Sequence, residues 1–302
     1  MLVTARLGLG TAALGRPGYI TLGHAHDLER RYGVAAMEQH CHGVLDEAWR
    51  CGVRWFDVAR SYGRAEEFVA SWLAARAIDP ADVTISSKWG YSYVANWQVE
   101  AAHHEIKDHS LTALDAQLPE SRRLLGSYLA IYQVHSVTPE SPLLSDRAAL
   151  ARLGELRDAG LRIGLSLSGP RQRETLERAL EIVVSGRPLW SAVQATWSLF
   201  ERSVGPALVA AKRAGLTVMI KEAVANGRLV ERLGAGGDMI AIAAALAQPF
   251  SDVVLSGAAT PSQLASNARA RELDGAALAA RYAALIEAPE LYWATRARLA
   301  WN

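Results

Sequence analysis

The chain is 302 residues long, with half its residues hydrophobic and 21% charged, a composition that excludes a disordered or collagen-like polymer. Its 32 basic and 31 acidic residues leave a net charge of +1, so nothing in the balance draws it to nucleic acid or to an anionic membrane surface. Two cysteines, Cys41 and Cys51, are too few for a multi-bridge disulfide scaffold.

Along the chain, short apolar runs alternate with amphipathic stretches. The N-terminal stretch MLVTARLGLGTAALG lacks the apolar run of a signal peptide, and no segment approaches the roughly 20 apolar residues of a membrane span. The expected location is therefore the cytoplasm. Predicted strands are Leu7–Thr11, Val53–Val58, Val83–Ser87, Leu129–Val134, Arg162–Leu167, Ala192–Thr196, Thr217–Ile220 and Asp252–Leu255. They are short and apolar, as strands buried on both faces must be. Predicted helices are Ala36–Arg50, Ala65–Ala77, Val99–Gln117, Ala148–Ala159, Gln172–Val184, Gly205–Ala214 and Asp238–Ala247, with a last one at Ser262–Arg271. Gly52, Gly160 and Gly215 mark helix ends.

Strand–helix alternation with right-handed crossovers implies a parallel sheet. Eight such strands point to one (β/α)8 TIM barrel spanning residues 1–302, followed by a helical tail at Leu273–Asn302 rich in Tyr and Trp that folds back on it. A doubly wound sheet is the alternative, but no G-x-G-x-x-G follows the first strand.

A barrel carries its active site at the C-terminal ends of its strands. Those ends supply Asp57, with Tyr62 in the next turn, then Lys88, His135, Ser166, Gln194, Lys221, and Ser256 with Gly257 and Ala258. Lys88 and Lys221 are two of only four lysines in a chain that uses Arg elsewhere. A phenol titrates near 10 and is a useful acid only if its anion is favoured. A nearby ammonium does this, and a carboxylate holds the ammonium in place. Asp57, Tyr62, Lys88 and His135 form such a set, suited to protonating a carbonyl oxygen while hydride arrives at its carbon.

The segments GLGTAALG (8–15), FDVARSYG (56–63), SSKWG (86–90), VHS (134–136), GLSLSG (164–169), VQATWSLF (193–200) and LSGAATPSQLASN (255–267) together resemble the aldo-keto reductase family, in the family's order. The resemblance implies a (β/α)8 barrel that reduces an aldehyde or ketone, reversibly, with NADPH or alternatively NADH. It implies Tyr62 as proton donor, its pKa depressed by Lys88, with Asp57 orienting Lys88 and His135 positioning the carbonyl. It assigns Gly10, Thr11, Ser166, Gln194, Lys221, Ser256, Gly257, Ala258, Gln263 and Asn267 to the cofactor.

Three positions depart from the family pattern. Leu167 stands where an Asn is usual after the strand-five Ser. Lys221-Glu222-Ala223-Val224 replaces the segment that supplies a ring to stack on nicotinamide. No Arg or Lys lies in Ser256–Ser266, leaving Arg269 or Arg271 to approach a 2′-phosphate. Lys221 and Glu222 are read either as one inward ion pair and one outward charge, since strand neighbours face opposite ways, or with Lys221 contacting cofactor phosphate or an acidic substrate. Trp89, Tyr91, Tyr93 and Trp97 are expected to wall the substrate pocket. His24, His26, His40, Cys41 and His42 are read as loop packing or substrate contacts, since His40 and His42 lack the spacing for a shared metal. The expected partner is a small carbonyl or alcohol. Two rivals stay open: a Schiff-base lyase using Lys88 or Lys221, and a non-catalytic cofactor-sensing subunit.

Overall fold

The computed structural model describes residues 6–302; the first five residues, part of the N-terminal stretch considered above, lie outside it. Eight parallel strands close into a barrel: β1 (Arg6–Gly10), β2 (Trp55–Asp57), β3 (Thr84–Trp89), β4 (Leu129–Val137), β5 (Arg162–Leu167), β6 (Ala192–Thr196), β7 (Thr217–Lys221) and β8 (Val253–Ser256). Each strand pairs with its sequence neighbours, and β1 closes the ring on β8 through Leu7–Val254 and Leu9–Ser256. All eight coincide with the predicted strands to within a few residues.

The helices around the barrel are α1 (Val34–Arg50), α2 (Ala65–Ala75), α3 (Leu111–Leu125), α4 (Arg147–Asp158), α5 (Gln172–Leu180), α6 (Gly205–Arg213), α7 (Arg228–Leu233), α8 (Gly237–Leu246), α9 (Pro261–Ala268), α10 (Gly275–Arg281) and α11 (Pro289–Ala297). α1 buries Met37, Cys41, Val44, Leu45 and Ala48 on one face, the stripe its periodicity dictates. Trp49 is only half-buried and carries the Arg54 guanidinium on its ring.

One predicted helix is displaced. Val99–Gln117 does not form as such: Glu105–Lys107 is a short strand paired antiparallel with Tyr91–Tyr93, and the helix starts at Leu111. The Ser110 hydroxyl accepts from the Ala113 N–H there, a local cap that outweighs the apolar pattern upstream. At the other end Gln172–Val184 stops at Leu180, because Val183–Val184 turns into a small hairpin with Arg187–Pro188. Among the described residues no helix is long and apolar enough to cross a membrane. The tail folds back as expected, with Tyr292 and Trp293 buried against the barrel.

His24 and His109 are buried, and burial holds each imidazole down at about 4 from the usual 6.5. The unfolded chain takes up these protons near 6.5 and the folded one only near 4, so their stabilisation is complete above about 6.5 and is lost as the pH falls toward 4. The loss is on the order of 3 kcal/mol for each group. Thermal melts from pH 7 to 4 should show the midpoint falling through this window, and the slope should flatten in the His24→Gln/His109→Gln double variant.

Candidate active site

The strand ends deliver their polar groups to one mouth. Asp57, ending β2, is buried beside β3 and β4. Its Oδ1 accepts from Ser86 Oγ at 2.7 Å, Gln194 Nε2 at 3.0 Å and Gln133 Nε2 at 3.1 Å, while Oδ2 is ion-paired to Lys88 Nζ. Lys88 is wholly buried. Its Nζ also donates to the Val58 carbonyl at 3.1 Å and to Tyr62 Oη at 3.2 Å.

Tyr62 is set by backbone close to backbone. Gly15 follows β1 and Gly63 follows Tyr62 with φ +60°, and a Cβ on either would overlap the other turn's carbonyl oxygen. The Arg64 N–H donates to Gly15 O at 2.7 Å, clasping the two turns. On the far side of the phenol, His135 Nε2 lies 3.5 Å from Tyr62 Oη, and His135 Nδ1 is 3.4 Å from Ser61 Oγ. β4 bulges between Val134 and Val137 to present His135, with Ser136 at φ +54°. The Ser136 N–H is held by Ser166 Oγ at 2.8 Å.

The electrostatics differ from the sequence expectation in one respect. Lys88 was expected to depress the Tyr62 pKa, but the phenol lies well above 10. Burial raises it most, and the Asp57 and Glu105 carboxylates add to this against the lowering by Arg16. The physical reason is burial, which penalises the phenolate, with the neighbouring carboxylates adding to it. The His135 imidazole is held well below 6.5 by burial and then by the cations Lys88, Lys221 and Arg16. At neutral pH the site therefore presents a phenol O–H and a neutral imidazole.

These groups open into a cavity of about 320 Å3 lined by Asp57, Tyr62 and His135 and by Gly10, Gln194, Lys221, Ser256 and Gly257. Six other residues singled out in the sequence lie behind its wall. Lys88 sits beneath Tyr62, and Thr11 binds the Asp57 carbonyl through both N–H and Oγ1. Ser166 braces Ser136. Ala258 and Asn267 meet at Ser256 Oγ, and Gln263 Oε1 accepts from the Ala259 N–H.

Arg269 and Arg271 do not turn toward this segment: Arg269 faces Glu272, and Arg271 donates to the Ala268 and Cys51 carbonyls. The expected aromatic wall is also different. Only Tyr91 of its four rings lines the cavity. Trp89 is in the core, and Trp97 packs on Phe68 and donates to the Tyr32 carbonyl. Tyr19 from the first loop and Trp301 from the tail form the wall instead. Of the histidines in the first loop and α1, His40 Nε2 contacts the Ala259 carbonyl and His42 Nε2 contacts Phe68 O and Ser71 Oγ.

The most informative departures are ion pairs. Glu222 does not point away from the mouth: its backbone enters the left-handed region, φ +56°, just after β7 ends, and turns the carboxylate inward. There it takes a bidentate grip from Arg296 of α11, at 2.6 to 3.0 Å. Arg16 is buried, donating to Ser61 O at 2.9 Å and Glu105 Oε1 at 2.8 Å, with its guanidinium over the Tyr62 and Trp301 rings.

Sequence reasoning passed over Ser86 and Gln133, although each lies two residues before a chosen group, Lys88 and His135, and so on the same strand face. Arg16, Glu105 and Arg296 carried no such local signal.

A profile of the Aldo/keto reductase family matches residues 6–241, and the chain belongs to that family. Over 156 residues it is 26% identical to "Aldo-keto reductase str7" of Strobilurus tenacellus, a match covering 51% of this chain and 40% of the relative. The chain thus spans about two fifths of that relative's length. Among solved structures it is similar to the aldo-keto reductase AKR11C1 from Bacillus halodurans in its holo form, with TM-score 0.68, 20% identity, and 95% and 96% of the two chains covered. It is also similar to the glycerol dehydrogenase AKR11B4 from Gluconobacter oxydans, with TM-score 0.62, 19% identity, and 92% of each chain covered. At these identities the structural likeness establishes the barrel fold.

The contact between Gly15 and the Tyr62 turn gives a direct test. Gly15→Ala should destabilise the fold by about 2 kcal/mol through overpacking, read as a lowered denaturation midpoint with an unchanged slope.

Proposed function

We propose that this chain is one barrel domain acting as an NAD(P)H-dependent carbonyl reductase in the cytoplasm, reversibly converting a small aldehyde or ketone to its alcohol. The observation that carries the reading is the hydrogen-bonded set at the cavity floor. There Tyr62 Oη faces the cavity between Lys88 Nζ at 3.2 Å and His135 Nε2 at 3.5 Å, with Asp57 neutralising Lys88.

The wall fits a nicotinamide dinucleotide. Asn226 Oδ1 is buried on it without a partner among the described residues. Gly10 and Gly257 bring bare backbone to the surface, and a Cβ at Gly257 would meet nothing. Gly10, Gln194, Ser256 and Gly257 would hold the cofactor directly, and Thr11, Ser166, Ala258, Gln263 and Asn267 would fix the wall that holds it. When bound, the reduced cofactor supplies hydride to the carbonyl carbon.

The protein supplies the proton. Tyr62, kept as a phenol by burial, donates its O–H to the carbonyl oxygen. As phenolate charge develops, the Lys88 ammonium already at hydrogen-bond distance stabilises it. His135, neutral, donates one ring N–H to the same oxygen while Ser61 satisfies the other nitrogen, which orients the carbonyl. Of the two amines open to the lyase rival, Lys88 is wholly buried and paired with Asp57, which leaves Lys221. Borohydride reduction in the presence of a carbonyl compound should therefore leave Lys88 unmodified on peptide mapping, and an adduct on Lys221 formed without cofactor would favour the lyase.

Tyr62→Phe should lower kcat for carbonyl reduction by a factor of about 100 or more with the NADPH dissociation constant nearly unchanged. Wild-type turnover in that variant removes Tyr62 from the mechanism. NADPH is the proposed cofactor, with NADH as the alternative. With Arg269 and Arg271 engaged elsewhere, fluorescence titrations of the tryptophans should give dissociation constants for the two within a factor of about 10, which is about 1.4 kcal/mol.

A further inference from the structure

Ionisable groups in the cavity wall can be matched one against another. Arg16 is taken by Glu105, Arg296 by Glu222, and Asp57 by Lys88 just behind the wall. His135 is neutral. One charge is left over. Lys221 ends β7 on the cavity wall, and among the described residues no carboxylate lies within ion-pair distance of its Nζ and no hydrogen-bond acceptor reaches it. Glu222 is its chain neighbour, yet spends both oxygens on Arg296.

An ammonium removed from bulk water without a counter-charge is unfavourable, and burial pulls the Lys221 pKa down to about 8. The cavity is thus short of one negative charge, which a ligand can bring. Its position says which ligand. The charges that act on Lys221 are first Glu222 and Arg296, which are bound to each other, then Lys88 and Asp57 of the reaction centre, and Lys221 in turn acts on His135. None of these groups belongs to the α9 terminus, where Thr260, Gln263 and Asn267 sit. A Lys ammonium serves carboxylate or phosphate alike as a point charge, so its place beside the reaction centre decides between them.

We propose that the substrate is a carbonyl compound bearing a carboxylate, and that Lys221 is the counter-charge that selects it. The proposal rests on the carbonyl-reductase reading for the word substrate, but the missing counter-charge does not depend on it. Tyr62 and His135 receive the carbonyl end, Lys221 receives the carboxylate, and Tyr19, Tyr91 and Trp301 enclose the carbon chain between them.

The experiment compares matched pairs with saturating NADPH: succinic semialdehyde against pentanal, and 4-carboxybenzaldehyde against 4-methylbenzaldehyde. The quantity read is the ratio of kcat/KM, acid over neutral, in which any common effect of a variant on cofactor binding or folding cancels. The wild type should favour the acid of at least one pair by about 10-fold or more. That ratio should collapse toward 1 in Lys221→Met and Lys221→Gln and survive in Lys221→Arg. A ratio near 1 in the wild type, or one that survives in both neutral variants, overturns the proposal.

A second arm needs no turnover: equilibrium binding of benzoate against benzamide, read by tryptophan fluorescence with NADP+ saturating. Preference for benzoate that vanishes in Lys221→Met supports the counter-charge even if no carbonyl is reduced, which would be a failure of the reductase reading alone. A preference seen without NADP+ and abolished by it shows that cofactor phosphate satisfies Lys221, and the substrate proposal falls.

Discussion

A carboxylate buried in a barrel is tolerable only if every lone pair facing the interior is answered, and Asp57 organises the floor of this site around that requirement. Stripped of partners it would cost several kcal/mol. Its four donors come from three other strands: Ser86 and Lys88 from β3, Gln133 from β4 and Gln194 from β6. No subset of the chain short of the closed barrel brings these together. The same contacts that make the charge affordable fix the Lys88 ammonium under Tyr62, so the reaction geometry is a by-product of satisfying Asp57.

Burial then shapes the chemistry. It keeps the Tyr62 phenol protonated and, together with the cations Lys88, Lys221 and Arg16, keeps His135 neutral, leaving two hydrogen donors on the cavity wall. Such a site is pre-oriented, so its fixed dipoles and hydrogen bonds need little reorganisation as charge develops. Lys221 breaks the pattern of matched charges, and an unmatched group on a cavity wall defines what the cavity lacks.

The outer wall is assembled from segments far apart in sequence. The Asn302 side chain donates to the Tyr19 and Thr21 carbonyls, Trp301 stacks on His104, and Arg296 clamps Glu222. The first loop, the hairpin after β3, the end of β7 and the C-terminal segment therefore hold one another over the mouth. Backbone joins them as well: Tyr19 and Asn302 exchange N–H···O bonds at 3.2 Å, and the Leu22 N–H donates to the Asn226 carbonyl at 3.1 Å.

What the amino-acid sequence determined by itself is the part governed by local periodicity and by motif spacing. Eight short apolar strands, the helices between them and the set Asp57, Tyr62, Lys88 and His135 were legible because a buried parallel strand must be apolar and because a barrel puts its polar residues at strand ends. The false start at Val99 was local too, an apolar pattern overruled by the Ser110 cap.

Tertiary structure alone decided which charges meet. Arg16 with Glu105 and Arg296 with Glu222 join residues 89 and 74 positions apart, and no pattern within an element encodes them. The left-handed turn at Glu222 also put on the cavity wall a side chain that strand alternation would have sent the other way. Coulomb energy and desolvation depend on distance and burial in three dimensions, so the identity of the unpaired cation, and with it the character of the cavity, exists only in the folded chain.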